Sequence, residues 1–501
     1  MRKRLDELFS DLPVLDRVHW DPRRSLTKIT SDSRTVQPGD VFVACKGTRM
    51  DGHDFLGQAI HDRASAVVYE REPDVIIPPH VTGIRVADTR AVFALLLRRF
   101  YDCPDRKIKL VGVTGTNGKT TTAYLIYRLL RERFKAAYLG TLWYELPSGR
   151  KTSMNTTPGS ETLVPMLADM VNEGVQYCVM ECSSHAIDQK RIHGLEFELG
   201  VFTQLTQDHL DYHGSMEHYF QTKRSFFAGS PSPRHVLINR DCPYGRRLID
   251  EFPSFRTFSV EAEADYSVKN LHMSLQGSRF DLCFRGQEIP FRIRLPMRYN
   301  VSNALAVLGA LDLLGKSAPS AFGITEFRGV FEEIPAIAGR MERVGTSTDF
   351  TVFVDYAHTP DAFEQVLRHA RQMKPGRIIT VFGCGGDRDS TKRPLMTQNA
   401  CKYSDIVILT SDNPRTEDPE AILRDMRKGL PHPLTPGLGV YEIIDRTEAI
   451  EKAVSLAKTG DAVFVLGKGH EDYQILGDKK IPFSDRATVE ASIRKSRVAL
   501  S

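Results

Sequence analysis

Short apolar runs alternate with amphipathic stretches through the last third of the chain. Val352–Val354, Ile378–Phe382, Ile406–Leu409 and Ala462–Leu466 read as buried strands. Asp361–Met373, Ala421–Lys428 and Glu448–Lys458 carry the helical period between them. Alternating strands and helices imply a mostly parallel sheet covered on both faces. Each apolar run ends in a polar cluster: Asp-Tyr-Ala-His-Thr-Pro from Asp355, Gly-Cys-Gly-Gly-Asp-Arg-Asp from Gly383, Ser-Asp-Asn-Pro-Arg from Ser411, and Gly-Lys-Gly-His-Glu from Gly467. Open α/β sheets bind ligands at the carboxyl ends of their strands, so these clusters are candidate ligand loops.

The middle third repeats the pattern. Ile108–Val113 runs into a glycine loop, Tyr177–Met180 into Glu181-Cys-Ser-Ser-His, and Gly200–Leu205 into Asp208-His-Leu-Asp-Tyr-His-Gly. In the first third, Ser31-Asp-Ser-Arg and Pro38-Gly-Asp-Val-Phe-Val suggest a turn feeding a strand. The pattern breaks near Tyr101–Arg106, where Cys-Pro-Asp follows the helix-like run Arg90–Phe100. It breaks again near Glu332–Gly339. These breaks predict three α/β domains, 1–104, 105–336 and 337–501, in keeping with a length of 501 residues.

Composition narrows the class. Hydrophobic residues make up 41% and charged residues 26%, as in ordinary globular chains. A net charge of +4, from 67 basic and 63 acidic residues, gives no reason to expect nucleic acid. The eight cysteines show no C-x-x-C spacing, and several sit in apolar runs, which favours a reducing compartment. No signal-like core follows the charged N-terminus, and no stretch approaches the ~18 apolar residues of a membrane span. The expectation is a cytoplasmic protein, monomeric and not membrane-bound.

Val113-Thr-Gly-Thr-Asn-Gly-Lys-Thr-Thr-Thr122 carries the clearest chemistry. A strand enters it, and a helix leaves it with Leu125, Ile126, Leu129 and Leu130 at helical spacing. Backbone N–H groups of such a loop turn onto phosphate oxygens at a positive helix end. Lys119 would reach the β- and γ-phosphates, and the Thr120 hydroxyl would hold Mg²⁺. The general G-x-x-x-x-G-K-[ST] pattern is broken at Val113, where it requires glycine.

Around the loop, Glu181 at a strand end could serve a Mg²⁺ site, although a solvated strand-end glutamate is the plainer reading. Asp208, His209, Asp211 and His213 could be read as a metal-hydrolase cluster. Against that, Gly214 interrupts any helix carrying both histidines, and the stretch lacks a zinc ligand spacing. Lys223 sits among aromatic residues beside Arg224. Burial and a like charge would favour its neutral amine, which can add CO₂ to form a carbamate. On pattern alone it reads as a helix-surface lysine.

Taken together and in order, these segments resemble the Mur ligases of peptidoglycan synthesis, most nearly the type that adds diaminopimelate. The likeness runs through Ser31-Asp-Ser-Arg, Asp-Gly-His-Asp-Phe55, the loop Thr114–Thr121, Met154-Asn-Thr-Thr, Glu181-Cys-Ser-Ser-His, Asp208-His-Leu-Asp-Tyr-His-Gly, Gly339-Arg-Met-Glu, Asp355-Tyr-Ala-His-Thr-Pro, Gly385-Gly-Asp-Arg-Asp, Asp412-Asn-Pro-Arg and Gly467-Lys-Gly-His-Glu. It covers nearly the whole chain. It makes the departure at Val113 a family feature.

The resemblance implies an N-terminal domain for the UDP end of the substrate, a central P-loop ATPase-like domain and a C-terminal Rossmann-like domain for the amino acid. ATP would contact Thr114, Gly115, Thr116, Asn117, Gly118, Lys119, Thr120, Thr121, Asn300 and Arg340. Mg²⁺ would be held by Thr120, Glu181, His209 and Lys223, with Lys223 carbamylated, and Lys119 would complete the catalytic set. Ser31, Ser33, Asn155, Thr156, Thr157, Ser183, Gln189 and Arg191 would grip UDP-N-acetylmuramoyl-L-alanyl-D-glutamate. Arg388, Asp412, Asn413, Pro414, Arg415, Gly467 and Glu471 would form the amino-acid pocket. Cys182 stands where the family commonly has an apolar residue. Asp-Asn-Pro-Arg implies meso-2,6-diaminopimelate rather than lysine. A lysine-adding ligase, a ligase like folylpolyglutamate synthase and a nucleotide-driven switch remain alternatives at this point.

Overall fold

The computed structural model describes residues 1–47, 50–229, 231–318, 321–345 and 348–498. Contacts within the chain divide it into two compact units. The first comprises 1–115, 123–202 and 217–237; the second comprises 116–122, 203–216 and 238–501.

Besides a short pairing of Lys3–Arg4 with Ser25–Leu26, two larger sheets run through the first unit. One has the order Val14–Val18, Thr82–Val86, Ala66–Tyr69, Asp40–Val43 and Lys28–Thr30, parallel except for its first pair. Successive side chains of a strand face opposite sides. Accordingly, Val41 and Val43 pack with Val92, Leu96 and Leu97 of the helix Thr89–Phe100. Phe42 and Ala44 pack on the other face with Leu56 and Ala59. In the other sheet, Ala136–Leu139, Tyr177–Glu181, Lys109–Thr114 and Phe197–Phe202 run parallel in that order. The carboxyl ends of Lys109–Thr114 and Tyr177–Glu181 therefore lie side by side, with Val113 opposite Glu181.

The second unit holds the C-terminal sheet, ordered Glu342–Val344, Thr351–Asp355, Ala462–Leu466, Ile378–Phe382, Ile406–Leu409 and Gly439–Glu442. All pairs are parallel except the first. Phe353, Phe382 and Phe464 pack on one face, and Val352, Val381 and Val463 on the other. The predicted strands Ile378–Phe382, Ile406–Leu409 and Ala462–Leu466 appear with the expected bounds. The predicted helices start one or two residues early, at Pro360, Pro419 and Arg446. Proline fits the first helical turn, where its missing N–H is not needed. Thr359 and Asp418 cap the two proline starts through their side chains.

Three further elements of this domain carry no clear pattern. Lys392–Tyr403 mixes polar residues around a helix, Gly439–Glu442 is a half-exposed edge strand, and Asp485–Val498 is the last helix. The strand expected at Gly200–Leu205 spans Phe197–Phe202 instead. Thr203 and Gln204 leave the ladder because they support the glycine loop. The Thr203 hydroxyl donates to the Asn117 carbonyl (2.6 Å), and the Thr116 N–H donates to the Gln204 carbonyl (2.6 Å). Among the described residues, no helix is long and apolar enough to cross a membrane.

Candidate functional site

The glycine loop leads from the strand Lys109–Thr114 into the helix Lys119–Leu130. Gly118 has φ +86°, a region that L side chains rarely adopt. A Cβ there would lie 2.6 Å from the Asn303 side-chain oxygen. Asn303 donates to Asn300 (3.2 Å), which donates to the Pro296 carbonyl (2.8 Å). This chain of amides braces the loop. Lys119 Nζ donates to the Thr116 carbonyl (2.8 Å), folding the ammonium over its own loop. Arg340 donates to the Thr120 hydroxyl (3.2 Å), and its guanidinium lies 4.8 Å from the Tyr356 ring centroid.

A cleft of about 550 Å³ opens beside this loop. Asn117, Gly118 and Thr121 line it from the loop side, and Tyr299, Asn300 and Arg340 line it elsewhere. The volume falls within the ~300–1,000 Å³ of small-molecule sites. The family resemblance pointed to Asn300 and Arg340 but not to Tyr299 or His369; among the described residues, the buried Tyr299 Oη and His369 Nδ1 have no hydrogen-bond partner. Burial, and then Arg368, pushes His369 down to about 4. Burial raises the Asp355 carboxyl, although Arg340 and the N–H groups of Met341 and Ala357 oppose the rise.

His209 caps the short helix Leu210–His213 with φ +52°, and Gly214 ends that helix, as the sequence suggests. The His209 ring lies 3.4 Å from the Asp208 carboxylate. Burial works against ionisation of Asp208, but the charges of His209, His358 and Lys119 hold its carboxyl below the ordinary value. Among the described residues, no three His, Cys, Asp or Glu side chains form a metal-holding group by themselves. That argues against the hydrolase cluster. A nucleotide–Mg²⁺ site needs only one or two protein carboxylates beside phosphate and water.

Glu181 and Lys223 belong to the first unit, and Thr120 and His209 to the second. Glu181 is fully buried. Its carboxylate accepts from Tyr138 Oη (2.8 Å), the Thr141 N–H (2.8 Å) and the Thr141 hydroxyl (3.1 Å). Lys223 is 1% exposed and so is not a surface lysine. Its Nζ donates to the Gly115 carbonyl (3.0 Å) and lies 3.4 Å from the Thr114 hydroxyl, at the start of the glycine loop. The signal was in the period of the helix Met216–Ala228, where Tyr219, Phe220, Phe226 and Phe227 form one apolar face that also carries Lys223.

Most of the residues expected to grip the UDP substrate gather near Glu181. The Thr157 hydroxyl donates to the Glu181 carbonyl (2.7 Å) and accepts from the Ser183 N–H (3.0 Å). Arg191 donates to the Thr157 carbonyl (2.9 Å) and to Gln189 Oε1 (2.7 Å). The Thr156 and Thr141 hydroxyls lie 3.1 Å apart. The exposed Asn155 is held through its carbonyl by the Tyr144 hydroxyl (2.6 Å). Ser31 donates to Glu161 (3.2 Å), and Ser33 lies buried in a short helix that Asp32 caps.

The amino-acid residues gather where the C-terminal strands end. Asn413 donates to Glu471 (2.9 Å). Lys468 is fully buried, and its ammonium reaches Glu471 (2.9 Å), Asn413 Oδ1 (3.1 Å) and Asp412 (3.4 Å). Gly467 has φ +115°, and a Cβ there would lie 3.2 Å from Asp412 Oδ2. Pro414 is buried. The half-buried Arg415 donates to the Gly386 carbonyl (2.6 Å). Arg388 is exposed and donates to the Asp387 carbonyl (3.1 Å). The Gly-Lys-Gly-His-Glu motif contains Lys468, yet its spacing alone does not reveal the ammonium as the tie between these loops.

The description "Mur ligase family, catalytic domain" matches residues 25–101, "Mur ligase middle domain" 113–311 and "Mur ligase, glutamate ligase domain" 339–469. The chain is 40% identical over 474 residues to UDP-N-acetylmuramoyl-L-alanyl-D-glutamate–2,6-diaminopimelate ligase 1 of Clostridium acetobutylicum, covering 94% of this chain and 95% of that one. It is 43% identical over 478 residues to the ligase of the same activity name from Gloeobacter violaceus, covering 95% of each. A solved structure of a UDP-N-acetylmuramoyl-L-alanyl-D-glutamate–2,6-diaminopimelate ligase matches with a TM-score of 0.72 and 32% identity, over 99% of this chain and 100% of that one.

Proposed function

The chain belongs to the Mur ligase family, and from that premise we propose that it joins meso-2,6-diaminopimelate to UDP-N-acetylmuramoyl-L-alanyl-D-glutamate with ATP. It is an ATP-dependent, amide-forming ligase of peptidoglycan precursor synthesis. The observation that carries the choice of amino acid is Arg415, anchored at Gly386 beside the Asp412–Asn413–Glu471 cluster. A planar guanidinium suits a carboxylate, and a second carboxylate is what separates diaminopimelate from lysine. The reading includes a cytoplasmic, monomeric enzyme.

An amide does not form from a carboxylate and an amine in water without activation. The D-glutamyl carboxylate attacks the γ-phosphorus of ATP, forming a C–O–P bond as the bond to ADP breaks. The amine then attacks the acyl carbon, phosphate leaves with one carboxylate oxygen, and the amine gives up its proton. Catalysis is mainly positioning and charge neutralisation. Lys119 and the N–H groups of residues 114–121 would hold the phosphates, with Arg340 and Asn300 in the nucleotide cleft. Mg²⁺, held by Thr120, Glu181, His209 and a carbamylated Lys223, would neutralise charge on the transferring phosphoryl group. The buried carboxylate of Glu181 and the burial of Lys223 against Thr114 and Gly115 fit such a site.

Phosphate release from ATP tests the reading, with the UDP-dipeptide present and diaminopimelate, lysine or no amino acid added. Release that needs the UDP-dipeptide and diaminopimelate is expected. Release without any amino acid would favour a nucleotide switch, release with lysine the lysine-adding type, and release needing folate and glutamate the synthase.

A further inference from the structure

Two loops of the amino-acid pocket face a registration problem. Asp412–Arg415 follows the strand Ile406–Leu409, and Gly467–Glu471 follows Ala462–Leu466. These strands are not neighbours, because Ile378–Phe382 lies between them. No pairing between these two strands therefore fixes the end of one against the end of the other, and the backbone bonds of Arg415 reach Ile475 and Gly477, beyond Glu471.

Arg446 spans that gap. It opens the helix Arg446–Leu456, and its side chain is completely buried. Nη1 donates to the Ser411 carbonyl (3.2 Å), and Nη2 donates to the Leu466 carbonyl (3.0 Å). These carbonyls immediately precede Asp412 and Gly467. Nε and Nη2 also grip the two oxygens of Asp485 (2.7 and 2.8 Å), a fully buried residue that opens the helix Asp485–Val498. The planar five-donor fork reaches both loops and the carboxylate at once; a lysine ammonium cannot match that geometry.

From this geometry we infer that Arg446, held by Asp485, is a positioning residue for the amino-acid substrate: it sets the loop Asp412–Arg415 against the loop Gly467–Glu471. The inference rests on reading these loops as the amino-acid pocket. Stability alone is a weak reason to keep such a pair, since apolar replacements of buried ion pairs are often neutral or stabilising. The charges of Asp412 and Glu471 also act on the guanidinium, which ties it electrostatically to the pocket. Lys468 completes the connection by bonding Asn413 and Glu471 across the same two loops.

The test uses the full chain with Arg446→Lys, and separately with Arg446→Met combined with Asp485→Leu, which removes both buried charges together. Thermal stability, kcat and the KM values for ATP, the UDP-dipeptide and diaminopimelate are measured, with Arg415→Ala in parallel. A loss of register should raise the diaminopimelate KM about tenfold or more, with the KM for ATP and for the UDP-dipeptide unchanged. Wild-type KM values in a folded Arg446 variant would overturn the inference if Arg415→Ala still weakens diaminopimelate use. If Arg415→Ala is also silent, the pocket reading fails and the inference falls with it. Failure of both Arg446 variants to fold would make the pair a support for the whole sheet and would equally overturn it.

Discussion

Replacing Arg415 by alanine tests the proposal that this residue chooses the amine. Arg415 has φ +55°. Alanine also carries a Cβ, so the backbone strain is the same before and after. The backbone stays anchored, because the Arg415 N–H donates to the Ile475 carbonyl (3.1 Å) and the Gly477 N–H donates to the Arg415 carbonyl (2.7 Å). The guanidinium's bond to the Gly386 carbonyl is lost for either amino acid and cancels in a ratio. What remains is the contact proposed between Arg415 and the second carboxylate of diaminopimelate. A hydrogen bond to a charged group contributes about 1.5–3 kcal/mol, and 1.4 kcal/mol is about tenfold. The ratio of kcat/KM for diaminopimelate over lysine should therefore fall about ten- to hundredfold, towards the lower figure because Arg415 is half-exposed to solvent. Phosphate release with each amino acid at saturating ATP and UDP-dipeptide measures it. An unchanged ratio in a folded variant would refute the reasoning.

Lys223→Ala should lose activity and regain part of it with acetate or another short carboxylate, which would take the place of a carbamate; full activity without the additive would count against the modification. Gly118→Ala places a Cβ 2.6 Å from Asn303 at φ +86°; a strained backbone of about 1–2 kcal/mol should raise the KM for ATP about five- to thirtyfold, and wild-type ATP kinetics would exclude the strain. Burial depresses His369 from 6.5 to about 4, so the unfolded chain takes up a proton that the folded chain refuses across that interval. Its contribution to stability is fully present above about pH 6.5 and is lost as the pH falls towards about 4. His369→Phe should flatten that part of a stability–pH curve from urea unfolding, and an unchanged curve would reject the assignment.

The sequence made the alternating sheet legible because buried parallel strands such as Ile406–Leu409 and Ala462–Leu466 are unbroken apolar runs. The strand end at Phe202 was misread by three residues because Thr203–Leu205 continues the strand-like pattern while its polar groups prop the glycine loop. Helix Lys392–Tyr403 was missed because its buried Arg393 makes a core contact through a charged residue, bonded to Glu417 and Asp425. The site motifs could be read one by one, since strand-end clusters announce themselves. Residues that tie motifs together could not: Lys468 reaches Asn413, and Arg446 reaches Asp485, across more than 30 residues of chain, and no local spacing encodes such a pairing. The burial of Lys223 was legible in the apolar face it shares with Tyr219, Phe220, Phe226 and Phe227, but its partners Thr114 and Gly115, more than 100 residues earlier, were not.

In the proposed reaction, ATP activates the D-glutamyl carboxylate as an acyl phosphate. The direct test labels that carboxylate with ¹⁸O in the UDP-dipeptide, runs the reaction with diaminopimelate, and weighs the released phosphate. One ¹⁸O per phosphate, with the other retained in the new amide, is expected. Unlabelled phosphate alongside amide product would contradict it.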